Sequence, residues 1–339
     1  MKIETNFNLI NNNTFNINVK CNNFITVESK EDLLKLYSDE SFNQKHLILG
    51  GGSNVLFKTD FDGNIISPNI LGLEINKLNN EQSLVKANCG ETWHNLVNYC
   101  VENGLSGIEN LALIPGLVGA APIQNIGAYG IEQDMIFYEL EVFDKTTGEF
   151  ETFKKEDCEF GYRDSVFKHL KAQNNDIYII TSVTYILNNN PNPNLTYQEL
   201  ATYLEIRNLE ANVKNIFDAV CEIRSSKLPD IKIEGNAGSF FKNPVVSAEL
   251  AEKVKSIDPI NKLFPQANGM VKLSAARLIE FCDLKGHRIG DAGVSAQHSL
   301  VLVNYGKATG NEIYQISETV INKVYDTFGI KLEREVNIV

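Results

Sequence analysis

The sequence predicts a mixed α+β protein built from two or three subdomains, and three observations carry that expectation. Its 339 residues exceed the size at which a single hydrophobic core usually keeps growing. Strand-like and helix-like segments alternate irregularly, without the steady rhythm of a doubly wound sheet. The character of the chain also changes near Val220, beyond which short strands and helices read as a smaller α/β unit. The composition, 43% hydrophobic and 22% charged, is that of an ordinary globular protein.

Taken in order, His46 to Leu49 reads as a short buried strand. Trp93, Leu96, Val97, Cys100 and Val101 recur at helical spacing, which predicts an amphipathic helix stopped by Gly104. Asp176 to Leu187 is rich in Ile, Val, Thr and Tyr, the residues that suit a strand. Asn188 to Asn194 cannot continue it, because its two prolines and five asparagines favour turns. Val213, Ile216, Phe217, Val220 and Ile223 share one face of a second helix, which ends before Pro229. Helices around Ala248 to Ile257 and Ser274 to Asp283 follow, then a strand at Ser299 to Asn304. A last helix carries Ile313, Ile316, Val320, Ile321 and Val324.

Charge and cysteine usage narrow the function. Lys plus Arg number 31 against 43 Asp plus Glu, for a formal charge of −12, with no dense basic stripe. Such a field repels phosphate backbones, so no nucleic-acid partner is expected. Cys21, Cys89, Cys100, Cys158, Cys221 and Cys282 form no C-x-x-C pair, and the five histidines form no H-E-x-x-H; buried free thiols and no metal site are expected. The longest apolar stretch, Leu111 to Ile123, is broken by Pro115, Gly116 and Gly119 and falls short of the ~20 residues a membrane helix needs. Met1 to Phe15 lacks the apolar core of a secretory signal. A cytoplasmic protein without a membrane partner is the expectation.

Two glycine-rich segments carry the first chemical signal. The strand Leu47-Ile48-Leu49 runs into Gly50, Gly51, Gly52, Ser53, Asn54, Val55 and Leu56. Glycines let a phosphate approach backbone N–H groups, but three glycines by themselves are more often a plain turn. The spacing is not a Rossmann fingerprint, since Val55 stands where the last glycine belongs. The second segment includes Pro115, Gly116, Gly119, Ala120, Gln124, Asn125, Gly127, Ala128, Tyr129 and Gly130. Tight packing of neighbouring backbones would explain its small residues. It would not explain Gln124, Asn125 and Tyr129, because buried polar groups need partners. A large planar ligand with many hydrogen-bonding groups would supply both space and partners.

Together, GGGSNVLF and IPGLVGAAPIQNIGAYG resemble the FAD-binding pair of UDP-N-acetylenolpyruvoylglucosamine reductases, a likeness that extends from Asn13 to the C-terminus. The resemblance implies a two-lobed FAD-binding domain of the vanillyl-alcohol-oxidase type, with lobes over 1–70 and 71–219. A smaller α/β substrate-binding domain over 220–339 follows, its C-terminal strand returning to the active site. It also implies non-covalent FAD, NADPH as hydride donor, UDP-N-acetylglucosamine enolpyruvate as substrate, and a monomer. In this family the substrate is reduced at the carbon β to its carboxylate, and the adjacent carbon is then protonated.

That chemistry calls for a cation beside the carboxylate and a proton donor near the reacting carbon. Gly161-Tyr162-Arg163-Asp164-Ser165 resembles the family's motif for the cation, Arg163, with Tyr162 beside it. Taken alone, Arg163 reads as a surface arginine paired with Asp164 or another acid. Gly235 to Pro244 resembles the segment carrying the proton donor, which implies Ser239 for that role and Asn243 for a substrate contact. Taken alone, Ser239 is a serine in a turn; Gly238 and the aromatic pair Phe240-Phe241 are expected to shape a dry pocket around it. Leu332-Glu333-Arg334-Glu335-Val336 resembles the closing motif, implying Glu335 as catalytic acid. Strand alternation leaves Glu333 and Glu335 equivalent, and Arg334 stands where many members have Pro. The resemblance further implies Lys227 as a diphosphate ligand. Tyr197 is implied as the mobile tyrosine of the subfamily with this insertion, although it would equally well pack against the helix it opens. Gln297 is a candidate pocket residue on the sequence alone and is assigned no role.

Overall fold

The β-rich stretch that ends at the asparagine–proline run becomes the longest strand, Tyr178–Asn188, in the computed structural model, which describes residues 1–339. It is the middle of a five-stranded antiparallel sheet in the order Phe150–Lys154, Phe137–Asp144, Tyr178–Asn188, Gln82–Asn88, Leu73–Lys77. Helix Trp93–Glu102 buries the face its periodicity marks, Trp93, Leu96, Val97, Cys100 and Val101. Trp93 packs edge-on against Tyr185 with ring centroids 5.6 Å apart. Its indole N–H donates to the Leu111 carbonyl at 2.8 Å, so the buried ring keeps a partner for its polar atom.

A four-stranded sheet precedes this one, in the order Lys2–Asn8, Lys20–Val27, Phe61–Pro68, His46–Ile48. His46–Ile48 is half-buried, not buried as its composition suggests. It lies at the sheet edge and pairs, parallel, only with the strand Phe61–Pro68. Helix Lys30–Ser38 begins at Ser29, whose hydroxyl accepts from Asp32 N–H, and its Leu33 and Leu36 pack with Ile25, Ile66, Phe143 and Ile179.

The chain divides into two compact units, the first formed by Met1–Phe7, Cys21–Gly51 and Asp62–Arg224 and the second by Asn8–Lys20, Gly52–Phe61 and Ser225–Val339. This division differs from continuous segments ending at 70 and 219. Two short N-terminal stretches join the second unit because their backbone bonds lie there: Asn236 N–H donates to Thr14 O at 2.8 Å and Val339 N–H to Leu56 O at 2.9 Å. The second unit holds a sheet ordered Gly235–Ser239, Val301–Asn304, Ala292–Val294, Arg288–Ile289. Against it packs helix Gly310–Phe328, opened by a capping box of Thr309 and Glu312 and closed by Gly329 at φ 72°.

Five of the six cysteines are buried, while Cys221 is only half-buried at the edge of its helix's apolar face. Burial pushes the Cys89 thiol up to about 11 and those of Cys100 and Cys158 up to about 12, which suppresses the reactive thiolate. No helix is long and apolar enough to cross a membrane.

Candidate active site

In the first unit the glycine-rich segments meet backbone to backbone. A Cβ added to Gly51 would lie 3.3 Å from Gly116 Cα, and one on Gly119 would lie 2.6 Å from Cys89 Cβ. Gly50 is different: an added Cβ would find only ordinary contacts, 3.7 Å to Ala120 and 3.8 Å to Leu117. Beside them opens a cleft of about 700 Å³, part of it solvent, lined by Ile48, Gly50, Leu117, Gly119, Ala120 and Ile123. Apolar walls with exposed backbone suit a flat ring system joined to phosphates, so these residues fit a flavin dinucleotide.

The polar residues of the second segment build the turn that carries Arg163. Asn125 is fully buried; its side-chain amide donates to Gly161 O at 3.1 Å, and its side-chain oxygen accepts from Asp134 N–H at 3.1 Å. Its side chain is therefore spent on positioning. Arg163 Nη2 donates to Gly127 O at 2.9 Å, while Asp164 turns to His169 Nε2 at 2.8 Å. The surface pair of Arg163 with Asp164 is thus replaced by a guanidinium laid against the Asn125–Gly127 backbone.

Asn125, Tyr129 and Arg163 have φ of 42°, 49° and 54°, a conformation that side-chain-bearing residues avoid and that tends to cluster at functional sites. Gly130, φ 84°, follows them. Gly127 and Ala128 pair with Ile131 and Glu132 in a tight hairpin, and a Cβ on Gly127 would lie 2.8 Å from Ile131 O. Gln124, half-buried, and Pro115, exposed, complete the segment. Asn110 donates to both Tyr129 O and Asn194 O at 3.0 Å, tying the asparagine–proline turn to this loop. Tyr197 packs edge-on against Tyr129 with centroids 5.1 Å apart and stays 43% exposed. Tyr162 is also exposed, and the Arg163 guanidinium lies 5.7 Å from its ring centroid.

In the second unit the other candidates converge on two neighbouring strands. Gly52 at φ 63° leads through Ser53 to Asn54, whose carbonyl accepts from Asn337 N–H at 3.2 Å and whose side chain donates to Glu335 O at 3.4 Å. Val55 and Leu56 form a buried strand parallel to Asn337–Ile338. Their side chains enter the interior and leave only backbone to face a ligand. Glu335 N–H donates to Phe240 O at 2.8 Å and Lys242 N–H to Glu333 O at 2.9 Å. These bonds set both Glu333 and Glu335 beside the Ser239 segment, and the Glu333 side chain is engaged by Lys242. Arg334 donates to Ser317 Oγ at 2.9 Å and pairs with Glu318, pinning the strand to the last helix.

Ser239 is exposed at the end of its strand, opposite Val301, just after a register shift. Phe240 and Phe241 are both fully buried. They anchor this strand in the core and do not wall a dry pocket over the serine, contrary to expectation. Asn243 Oδ1 accepts from Ala275 N–H at 3.0 Å, so its side chain helps start helix Ala275–Phe281. Lys227 is exposed and near His298, whose pKa is lowered by burial and then by the Lys227 charge. Gln297 is exposed, its N–H bonded to Ser295 Oγ. Arg224, which opens the Arg224-Ser225-Ser226-Lys227 run and received no role from the sequence, lies four residues after Val220 and seven after Phe217, on the apolar face of its helix.

Residues 22–154 match the FAD binding domain and residues 230–339 the UDP-N-acetylenolpyruvoylglucosamine reductase C-terminal domain. A UDP-N-acetylenolpyruvoylglucosamine reductase of Flavobacterium johnsoniae is 44% identical, with all of both chains covered. One of Photorhabdus laumondii is 45% identical over 96% of this chain and 94% of the other. The crystal structure of the reductase from Thermus caldophilus shares the fold, with a TM-score of 0.68 and 24% identity over 100% of this chain and 99% of that one. Full-length similarity at this level, two matching domains and a glycine cradle for a dinucleotide lead to one conclusion: the chain belongs to the UDP-N-acetylenolpyruvoylglucosamine reductases, flavoenzymes of peptidoglycan precursor synthesis.

Proposed function

We propose that this chain converts UDP-N-acetylglucosamine enolpyruvate to UDP-N-acetylmuramate with electrons from NADPH, as a cytoplasmic monomer. The observation that carries this reading is the pairing of the Ser239 segment with the strand of Glu335, through Glu335 N–H to Phe240 O at 2.8 Å. It sets a hydroxyl and a carboxyl on adjoining backbones, the equipment for protonating carbon. The first unit chiefly serves FAD and the segment from Ser225 onward chiefly the substrate. FAD, when bound without a covalent link, passes electrons from NADPH to the enolpyruvyl ether.

The residues of the chain do the rest. Gly50, Gly51, Gly116, Gly119 and Ala120 give the cofactor close approach to backbone, and the turn from Gln124 to Gly130 shapes its edge. Arg163 holds the substrate carboxylate, where negative charge accumulates, by two parallel bonds that its fixed backbone pre-aims. Ser239 delivers a proton to the carbon beside that carboxylate, and Glu335 is the acid on the next strand. Lys227 takes the diphosphate, and Tyr162, Tyr197 and Asn243 complete the substrate contacts.

NADPH oxidation that depends on the enolpyruvyl substrate tests the reading; a purified protein that binds FAD yet shows no such dependence refutes it. Two further results are expected. Lys227→Ala should weaken UDP-sugar binding by roughly tenfold to a hundredfold, the worth of a charge-assisted bond, and Tyr197→Phe should weaken it as well. Neither should change flavin content, and titration followed by flavin absorbance measures both. Gly50→Ala should keep the melting temperature of the apoprotein, because its new methyl meets only ordinary contacts. It should nevertheless lower FAD affinity, because Gly50 lines the cleft; equilibrium dialysis of FAD decides.

A further inference from the structure

A second cleft opens in the first unit, between the end of helix Lys30–Ser38, strand His46–Ile48 and the turn after strand Phe137–Asp144. It measures about 1150 Å³, part of it solvent, and its lining includes Tyr37, Glu40, Phe42, His46, Lys145 and Asp176. Lys145 is only 9% exposed, whereas lysine is seldom buried without a paired charge. Its Nζ lies 3.0 Å from His46 Nε2. The other ring nitrogen, Nδ1, lies 2.9 Å from Gln44 O, which puts the imidazole proton there and makes Nε2 the acceptor of a lysine N–H. Burial lowers the His46 pKa, so the ring adds no charge at neutral pH. An ammonium carries three donors, and His46 takes one; no carboxylate of the chain pairs with the others. Asp144 turns an oxygen back to the N–H and hydroxyl of Thr146, both at 2.6 Å. Asp176 favours the Lys145 ammonium only through space, against its burial. Phe42 stands edge-on to His46 with centroids 5.6 Å apart. Tyr37 lies on Gly148, where an added Cβ would come within 2.7 Å of its ring.

We propose that this cleft binds a small zwitterion of the α-amino-acid class with an apolar side chain, its carboxylate on Lys145, its ammonium toward Asp176 and Glu40, and its side chain against Tyr37 and Phe42. The charges of the lining select that class. A carboxylate presents acceptors to the two remaining lysine donors in a strong, charge-assisted contact. A simple anion meets a lining in which two exposed carboxylates, Glu40 and Asp176, outnumber one buried cation, so repulsion offsets much of that contact. A simple cation satisfies the carboxylates and leaves the buried donors without an acceptor. Only a ligand that carries both charges a few bonds apart answers both. The two aromatic rings then cover its apolar part, as in other sites with few polar groups.

Asp176 also lines the flavin cleft, so the test is made with FAD in place. FAD-loaded protein carrying isotope-labelled histidine is titrated with L-phenylalanine and L-leucine, and with two half-ligands, phenylpropionate for the anion and phenethylamine for the cation. The His46 ring signal, assigned with His46→Gln, reports binding by nuclear magnetic resonance. At least one amino acid should move that signal with a dissociation constant of about 1 mM, ordinary for a ligand of so few atoms. Each half-ligand should bind at least roughly tenfold more weakly, having lost one charged contact. Lys145→Met should weaken amino-acid binding roughly tenfold to a hundredfold. Should that variant fail to fold, Lys145→Gln, which keeps a donor for His46 Nε2, replaces it with the same expected loss. A His46 signal that neither amino acid moves at about ten times that concentration overturns the proposal. Phenylpropionate binding as tightly as L-phenylalanine overturns it too, since the cleft then takes plain anions. Undiminished affinity in the folded Lys145 variant removes the carboxylate contact on which it stands. Binding to the apoprotein that disappears when FAD is loaded assigns the cleft to the cofactor and ends it likewise.

Discussion

Ser239→Ala should leave the reduction of FAD by NADPH nearly intact and slow the reaction of the reduced enzyme with the enolpyruvyl substrate by roughly a hundredfold to ten-thousandfold, the usual worth of a positioned general acid. The two half-reactions differ in what they ask of the protein, because only the second places a proton on carbon. Ser239 is exposed at a strand end, and the buried rings of Phe240 and Phe241 next to it hold the backbone. Removing one oxygen there should not disturb packing. Ser239→Cys puts a group of about the same size and, at a reference pKa of ~8.5, greater acidity in the same place, so it should recover part of the lost rate. Anaerobic stopped-flow measurement of each half-reaction separates the possibilities. Equal slowing of both halves assigns Ser239 to structure and makes Glu335, bonded into the neighbouring strand through Phe240 O, the next candidate for the donor.

The second large effect is expected at Gly52, and it concerns the fold. Gly52 has φ 63°, and a Cβ there would lie 2.0 Å from Asn12 O and 2.9 Å from Asn13 Cα. That neighbour cannot yield easily. The fully buried Asn13 side chain donates to Leu9 O at 2.8 Å and Ile17 O at 3.0 Å and accepts from Ile17 N–H at 2.9 Å. Left-handed backbone costs a residue with Cβ about 1–2 kcal/mol, and forcing atoms into a packed site adds about 1–3 kcal/mol. Gly52→Ala should therefore lower the melting temperature by roughly 5 to 15 °C, at about 2–4 °C per kcal/mol for a unit of this size. Gly50→Ala, two residues away, serves as the control. Equal melting temperatures for the two variants would show that the Asn12–Asn13 turn gives way and that the glycine is not structural.

This contrast shows where the sequence was legible. In G-G-G every residue reads alike as a phosphate cradle, yet only Gly50 lines the cleft without being demanded by packing, and Gly52 serves a backbone crossing at Asn12. Helix Trp93–Glu102 and helix Val213–Lys227 were readable because one apolar face repeats every 3.6 residues within a single segment. The strands Lys2–Asn8 and Lys20–Val27 were not, since asparagines interrupt their alternation. Motif likeness brought Arg163, Ser239 and Glu335 forward. It did not reveal that Asn125 spends its side chain on the Gly161 turn, or that Arg224 has a buried Nε without a partner. Those are properties of three-dimensional neighbourhoods, in which a residue's type says little until its surroundings are known.

The parallel pairing of Val55–Leu56 with Asn337–Ile338 also sets a timetable for synthesis. Asn54 and its partner Asn337 are 283 residues apart, so a ribosome working at about 5–20 residues per second needs roughly 15 to 60 s to make the second after the first. Throughout that interval the newborn Val55, Leu56 and Phe57, all buried in the finished protein, have no sheet to join. Nascent chains stalled anywhere short of Asn337–Ile338 should accordingly recruit holding chaperones through this stretch, and release them only once that strand has emerged and paired.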